Sequence, residues 1–259
     1  WEYDIRSSVI SWKMGFAKSV LDADGDKPSV REAFPVTTSY LEDKADFMLT
    51  VRHFTFLAGT NVSREFQNKL LKEAVTAISF GARATTKGWH NMAGTWTNPA
   101  IVDILKNPDE RMRFLGDATI RKFIQEQNRL DDYIFKHFKK DAGDFLVNPL
   151  LQTASGRLSK SKVLAFYYQQ CETQVMNVLR EVAANHGRKP LANVHDAVFF
   201  RNRLGVDLKS EIEFVMQEKT ANPFWHLKPM QLFAYTSVSK EALEYEKEHK
   251  ARIKNEELE

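Results

Sequence analysis

The adjacent residues His195 and Asp196 are ionisable side chains set into an apolar, β-branched and aromatic run, residues 191–200. This composition predicts a buried pair of strands. A carboxylate in such a run loses its hydration, so it requires a metal ion, a cation or several hydrogen-bond donors as a partner. A His-Asp turn that caps a hairpin is an equally good interpretation of this stretch taken alone.

Two further stretches carry residue types that suit chemistry on a phosphate ester. Asp4 ends residues 1–4, whose alternation is typical of the end of a half-buried strand. Lys69 and Lys72 lie close together on one face of a predicted helix. Two carboxylates brought together across a sheet can hold two Mg²⁺ ions, which activate a hydroxyl and stabilise a leaving pyrophosphate while lysines bind the triphosphate. An amphipathic helix with its lysines in solvent is the alternative, and the helix alone favours it.

The helix that carries the lysines has clear start and stop signals. Asn61 or Ser63 can cap it, it covers residues 64–80, and Gly81 ends it. One face is predicted to be core and the other to present cations. The core face contains Leu71, Ala74, Val75 and Ile78, and the opposite face contains Lys69, Lys72, Thr76 and Phe80.

Helical periodicity also predicts the elements on either side of the acidic residues. A helix capped by Ser7 or Ser8 extends to about Leu21. Another covers about residues 159–187, with a serine at its start and a His-Gly pair at its end. Residues 119–140 form a third, which is charged enough to be largely exposed. The fold class that follows is mixed α/β with helix dominant.

The composition excludes several classes of protein. With 259 residues, 43% hydrophobic and 27% charged, the chain is globular. One cysteine, Cys171, cannot form an internal disulfide and fits a reducing compartment. Uncharged runs such as residues 163–171 are too short and too polar to span a membrane. The net charge of +3 is only mildly compatible with a polyanionic partner.

Three motifs in this order resemble those of the phage-type single-subunit RNA polymerases, which share palm and fingers with family A DNA polymerases. Residues 3–11, YDIRSSVIS, are similar to motif A of that family. The stretch NKLLK at 68–72, continued to the Phe-Gly at 80–81, is similar to motif B. Residues 194–197, VHDA, are similar to motif C. The resemblance implies a right-hand palm with a small antiparallel sheet and helical fingers.

The resemblance also implies roles for individual residues. Asp4 and Asp196 would bind two Mg²⁺ ions, and Lys72 would bind the triphosphate of the incoming nucleotide. Tyr168 falls where the family has a histidine that senses the ribose 2′-hydroxyl. The set of residues implied to contact substrate is Lys69, Lys72, Phe80, Gly81, Tyr168 and His195.

Several positions depart from the family pattern. The basic residue that begins motif B falls on Asn68, so Lys69 or Arg64 would take its role. Phe80 lacks the hydroxyl of the usual tyrosine. Val9 replaces the acidic residue with which family A DNA polymerases exclude the 2′-hydroxyl, and Thr76 replaces a second aromatic of motif B. The last two departures favour ribonucleotides over deoxyribonucleotides.

The resemblance further implies a domain layout and partners. Residues 1–21 would be palm, residues 22–158 fingers with the motif B helix at 64–81, and residues 159–259 palm with motif C and the C-terminal region. Because motif A lies at the start, either the chain is a fragment or a second polypeptide supplies the thumb and N-terminal domain. The second interpretation is favoured, and it resembles the two-polypeptide RNA polymerase of N-four-type coliphages. The other expected partners are a DNA template, an RNA product and nucleoside triphosphates, in the cytoplasm of an infected bacterial host.

Two alternative functions remain open from the sequence. One is a fragment of a family A-like DNA polymerase, which a preference for deoxyribonucleotides would reveal. The other is a non-catalytic helical protein that binds nucleic acid or acts in assembly, with accidental motif matches. A large separation between Asp4 and Asp196 in the structure would favour the second alternative.

Basic and aromatic residues alternate in a loop-rich segment that follows the motif B helix. This interleaving suits nucleotide stacking, and it also suits ordinary packing. The residues are Arg83, Lys87, Trp89, His90 and Trp96.

Overall fold

The computed structural model describes residues 1–22, 28–60, 62–91, 94–141, 143–232 and 244–245. The chain divides into two compact units. The first unit combines residues 1–35 with residues 129–234, and the second combines residues 36–128 with residues 235–259. Helix accounts for 64% of the structure and the sheets are small and antiparallel, which confirms the mixed α/β, helix-dominated class.

The order of elements alternates short strands with long helices. No helix in the described ranges is both long and apolar enough to cross a membrane. The elements are β1 (Glu2–Ile5), α1 (Ser8–Asp22), α2 (Val30–Ala33), α3 (Pro35–Glu42), α4 (Lys44–Thr55), α5 (Arg64–Ser79), β2 (Trp89–His90), β3 (Trp96–Thr97), α6 (Ala100–Ile104), α7 (Pro108–Gly116), α8 (Ala118–Asp141), α9 (Lys160–Asn185), β4 (Ala192–Val194), β5 (Ala197–Phe199), α10 (Val206–Thr220) and β6 (Leu227–Met230).

The first unit is built on a four-stranded sheet in the order β4-β5-β1-β6, with every neighbouring pair antiparallel. The central strand β1 points Tyr3 and Ile5 into the core, where each is 1% exposed. Asp4 lies on the opposite face, since successive side chains alternate. It is directly opposite Ala197 on β5 and Lys228 on β6.

The predicted hairpin in residues 191–200 exists, but its two strands are not both buried. β5 contributes Ala197 and Val198 to the core, whereas all three residues of β4 are exposed. β4 is exposed because it lies at the edge of the sheet, where β5 is its one neighbouring strand. Asp196 is therefore half-buried, and the prediction of a buried strand pair is wrong for β4.

The helices of the first unit follow their predicted signals. Ser159 caps α9 by accepting a hydrogen bond from the backbone N–H of Lys162, and the helix ends at His186. Gly187 then adopts a φ of +68°, a left-handed conformation that favours glycine. The helix predicted to extend to about Leu21 is present as α1, and its buried apolar stripe contains Ile10, Met14, Ala17 and Leu21.

The helix α8 corrects the expectation of a largely exposed segment. Several of its apolar side chains are fully buried, among them Phe123 and Ile134. Asp131 is buried as well, and its carboxylate lies 2.5 Å from the Lys13 ammonium of α1. The high charge of the segment hid this partnership, because a buried ion pair has no periodic signature in sequence.

The second unit contains the predicted amphipathic helix as α5. Ser63 Oγ accepts a hydrogen bond from the backbone N–H of Phe66, Phe80 is the C-cap, and Gly81 has a φ of +83°. The segregation of its faces is confirmed. Leu71, Ala74, Val75 and Ile78 are buried, and Lys69, Lys72, Thr76 and Phe80 are exposed.

The boundaries of the two units do not coincide with the predicted polymerase domains. The units change after residues 35 and 128, whereas the predicted fingers covered residues 22–158. The assignment of palm and fingers stays a prediction. Most of residues 240–259, the charged end of the predicted C-terminal region, lies outside the described residues.

Candidate active site

The two acidic residues singled out from the sequence lie on strand β1 and in the turn that leads into its neighbour β5, both in the first unit. The backbone N–H of Ile5 donates a hydrogen bond of 3.0 Å to the carbonyl oxygen of Asp196. Paired strands lie about 4.8 Å apart. Asp196 belongs to the turn between β4 and β5, so strict strand alternation does not assign its side chain to one face. The backbones of Asp4 and Asp196 are therefore neighbours across the β1–β5 pairing.

Each acidic residue lies beside a backbone in an uncommon conformation. Ser7 has a φ of +52° and ends the turn from β1 into α1, where its carbonyl accepts hydrogen bonds from Ile10 and Ser11. His195 has a φ of +51° in the hairpin turn immediately before Asp196. In the described ranges, Ala221 is the one other non-glycine residue with a positive φ. Such conformations cost about 1–3 kcal/mol and cluster at functional sites.

Tyr168 of α9 joins this region through two side-chain hydrogen bonds. The Tyr168 hydroxyl donates a hydrogen bond of 2.6 Å to Glu172 Oε1. It also lies 2.8 Å from Ser8 Oγ. Because the phenol has a single proton, the Ser8 hydroxyl donates and the Tyr168 oxygen accepts in this second bond. Burial raises the pKa of Tyr168 above its usual value, the bond to Glu172 adds to the rise, and the negative charge of Asp196 contributes further. Tyr168 is therefore a neutral phenol within electrostatic range of Asp196.

Sequence reasoning named Tyr168 but missed its two partners. Glu172 lies four residues after Tyr168 on α9, a spacing that places both on one helix face, so the pair could have been found. Ser8 was named only as a helix cap. Its contact with α9 spans 160 residues of sequence and had no local signal.

A positive charge accompanies Asp4 on its own sheet face. Lys228 of β6 is its direct cross-strand partner, and such partners have Cβ atoms about 4.5–5.5 Å apart. Sequence reasoning missed Lys228 because the pairing of β1 with β6 is a long-range contact. The Asp4 carboxylate thus has a neighbouring cation on one side and the Asp196 turn on the other.

The residues present fit a magnesium site supported by substrate. No group of three or more His, Cys, Asp or Glu side chains that could hold a metal is found in the part of the chain that the structure describes. Mg²⁺ is commonly held by one or two carboxylates, with waters and substrate phosphates completing its octahedron. Asp4 and Asp196 offer that minimum, and both are only half-buried.

The other predicted substrate residues belong to the second unit. Lys69, Lys72 and Phe80 lie on the exposed face of α5, and Gly81 follows it. The Lys69 ammonium is 5.9 Å from the centroid of the Phe66 ring. Phe80 is 57% exposed.

Arg52 is a basic residue of this unit that sequence reasoning missed. Its guanidinium donates a hydrogen bond of 3.2 Å to Asn68 Oδ1, the position at which motif B usually begins with a basic residue. Arg52 and Arg64 also line a cavity of about 590 Å³, together with His53 and the apolar side chains of Phe56, Leu57 and Val62. Cations are thus concentrated next to Asn68 although Asn68 itself is neutral.

Comparison of this chain with protein-family models, with curated proteins and with solved structures finds no match. Its function is therefore argued from its own residues and their geometry.

Proposed function

We propose that this protein is the catalytic subunit of a DNA-dependent RNA polymerase, which transfers nucleotides from nucleoside triphosphates to an RNA 3′ end. The observation that carries the proposal is the pairing of β1 with β5, which makes Asp4 and Asp196 neighbours. This pairing joins two motifs that lie far apart in the sequence. A two-metal nucleotidyl transferase requires two carboxylates near each other, and the backbone pairing supports such a site.

Asp4 and Asp196 would hold two Mg²⁺ ions. When bound, these ions supply activation of the 3′-hydroxyl and stabilisation of the leaving pyrophosphate. The protein's own contribution is to hold the two carboxylates in place. The pairing of β1 with β5 and the turn at His195 do this through the backbone. Lys228 balances part of the negative charge next to Asp4.

The proposal gives the cations of the second unit a role in binding the triphosphate. Lys72 would contact the phosphates, with Lys69 beside it on the exposed face of α5. Arg52 or Arg64 would supply the charge that Asn68 lacks, which the hydrogen bond from Arg52 to Asn68 supports. Phe80 and Gly81 would contact the incoming nucleotide through an exposed ring and an open turn.

Tyr168 and His195 complete the proposed set. Tyr168 would lie near the sugar of the incoming nucleotide, which its position near Asp196 and its bond to Ser8 support. His195 is exposed at the hairpin turn and would contact the end of the RNA. The proposed partners are a DNA template, the RNA product, nucleoside triphosphates and a second polypeptide that holds the template.

The test is extension of an RNA primer on a DNA template with Mg²⁺, by the chain together with the polypeptide that copurifies with it. Asp196→Asn removes a charge but little volume, so we expect incorporation to fall on the order of a hundredfold or more. Asp4→Asn should have the same effect. Binding of Mn²⁺, followed by electron paramagnetic resonance without substrate, should weaken in both variants.

A matched control is Asp207→Asn, an exposed carboxylate of the same unit in the first turn of α10. It should retain full incorporation. If Asp196→Asn incorporates nucleotides as well as Asp207→Asn does, the proposed function is wrong.

A further inference from the structure

A short hairpin of the second unit, described at residues 82–91 and 94–97, carries two surface-accessible side-chain pairs that each include a tryptophan. We call it the Trp hairpin. The Arg83 guanidinium lies 4.3 Å from the centroid of the Trp89 ring. The rings of His90 and Trp96 meet edge to face, with centroids 5.0 Å apart. β2 and β3 hold both pairs in register, since Trp89 is opposite Thr97 and His90 is opposite Trp96.

The charge of this region has one sign. The sequence contains no Asp or Glu between Glu73 and Asp103. Arg83 and Lys87 lie within that interval, and both side chains are exposed. A polyanion that approaches the Trp hairpin therefore meets two cations and no carboxylate from the hairpin itself.

The two tryptophans of the hairpin have different surroundings. A Cβ added to Gly88 would lie 2.7 Å from the Trp96 ring, so this ring rests directly on the backbone. Trp96 Nε1 also donates a hydrogen bond of 2.8 Å to Asn98 Oδ1. Trp96 is thus tied to its own hairpin, whereas Trp89 is half-exposed and its ring lies against the exposed Arg83.

We infer that the Trp hairpin binds single-stranded nucleic acid. Trp89 and the guanidinium of Arg83 present planar faces on which bases can stack, and Lys87 can contact the phosphates. A duplex hides its base faces, so these planar groups would gain little from it. Two-residue strands are also too short to act as a ribbon in a major groove. The inference does not depend on the carboxylates of the first unit.

The experiment is fluorescence anisotropy of the full chain with labelled oligo-dT and oligo-U of about 16 nucleotides, near the upper site size of single-strand modules, and with a duplex of equal length. Trp89→Leu removes a stacking face and should weaken single-strand binding about tenfold. The double variant Arg83→Gln with Lys87→Gln removes both cations of the hairpin. It should lower the slope of log K against log salt by about 0.7 if only Lys87 neutralises a phosphate, and by about 1.4 if Arg83 also does so.

A matched control pair lies in the same unit. Arg121 and Lys122 are exposed neighbours on α8, and replacing both by glutamine removes the same charge elsewhere. This variant should keep the affinity and the salt slope of the natural chain within twofold. Arg83→Lys serves as a second variant that keeps the charge, and it should weaken binding without changing the salt slope.

Three outcomes would overturn the inference. The first is unchanged affinity of both Trp89→Leu and the Arg83→Gln, Lys87→Gln double variant. The second is a loss of affinity in the α8 control equal to that of the double variant. The third is equal affinity for the duplex and the single strands. A preference between oligo-dT and oligo-U identifies the strand that binds. Binding is measured without nucleoside triphosphates, whereas the polymerase proposal is tested by incorporation, so failure of the hairpin inference and failure of the polymerase proposal are distinguishable.

Discussion

The two units bury charged side chains in different ways. In the first unit, Lys13 and Asp131 form an ion pair at 2.5 Å with side chains 2% and 6% exposed. In the second unit, Arg111 is 2% exposed, and its guanidinium is satisfied by the backbone. Its acceptors are the carbonyl oxygens of Thr86 at 2.7 Å, Leu105 at 2.7 Å and Lys106 at 3.4 Å.

The difference shows two uses of a buried cation. The Lys13–Asp131 pair joins two helices, α1 and α8, at one point. Arg111 instead ties together chain segments that have no regular structure, including Thr86 within the Trp hairpin. A charge bound by carbonyls can therefore order loops, whereas a charge bound by a carboxylate requires that both partners stay buried together.

The candidate binding residues of the two units also differ. In the first unit, the half-buried Asp4 and Asp196 lie at the β1–β5 pairing. In the second, α5 exposes lysines beside glutamates, and the Trp hairpin exposes Arg83 and Lys87. Under the proposed function, the carboxylates of the first unit would bind metal ions and the cations of the second would contact phosphates.

The largest expected effect is on the buried ion pair. Lys13→Met leaves Asp131 buried without its cation, and breaking such a pair typically costs about 3–5 kcal/mol. Burial lowers the pKa of Lys13 and raises the pKa of Asp131, and the charge of each partner opposes this shift in the other. Each group therefore depends on its partner to stay charged. Urea denaturation should show a correspondingly lower free energy of unfolding.

Two controls sharpen this result. Lys18→Met removes the exposed partner of Asp22 on the same helix, and it should change stability by less than about 0.5 kcal/mol. The double variant Lys13→Met with Asp131→Leu should recover most of the loss. Equal effects of Lys13→Met and Lys18→Met would contradict the buried pair.

A smaller effect on stability is expected at Tyr168. Its hydroxyl group, like the Lys13–Asp131 pair, has side-chain partners inside the first unit. Tyr168→Phe removes the hydrogen bonds to Ser8 and Glu172 and should cost about 1 kcal/mol. Under the proposed function it should also reduce the preference for ribonucleotides over deoxyribonucleotides, measured as a ratio of kcat/KM. Tyr167→Phe, one residue away, should keep that preference. A strong deoxyribonucleotide preference in the natural chain would instead favour the DNA polymerase alternative.

The smallest expected effect concerns Glu110, a buried carboxylate of the second unit. Burial raises its pKa to about 6, against the attraction of Arg113. A carboxyl whose pKa is raised on folding contributes stability below its unfolded pKa of 4.5, and this contribution is lost as the pH rises through about 6.

Glu110→Gln should therefore be more stable than the natural chain by about 1 kcal/mol at pH 7, with the difference vanishing near pH 4.5. Thermal denaturation across this pH range measures it. Glu65→Gln, an exposed position on α5, should show no such dependence. If the difference in stability between Glu110→Gln and the natural chain does not vary with pH, burial does not raise the pKa of Glu110 as described.

Local patterns predicted local structure well. The start of α5 at Ser63 and the end of α9 at Gly187 follow from caps and glycine conformation, which act over a few residues. The burial of β4 was predicted wrongly, because exposure of a strand depends on its place in the sheet and not on its own composition. The Lys13–Asp131 pair was missed for a similar reason.

By itself, the sequence determined the helices, their caps and the hairpin that presents His195 and Asp196, since these depend on short-range periodicity and turn chemistry. The tertiary structure alone decided that β1 pairs with β5 and that Ser8 bonds Tyr168. Contacts between distant segments depend on how whole elements pack, and no local pattern encodes them. The candidate site exists only through such contacts.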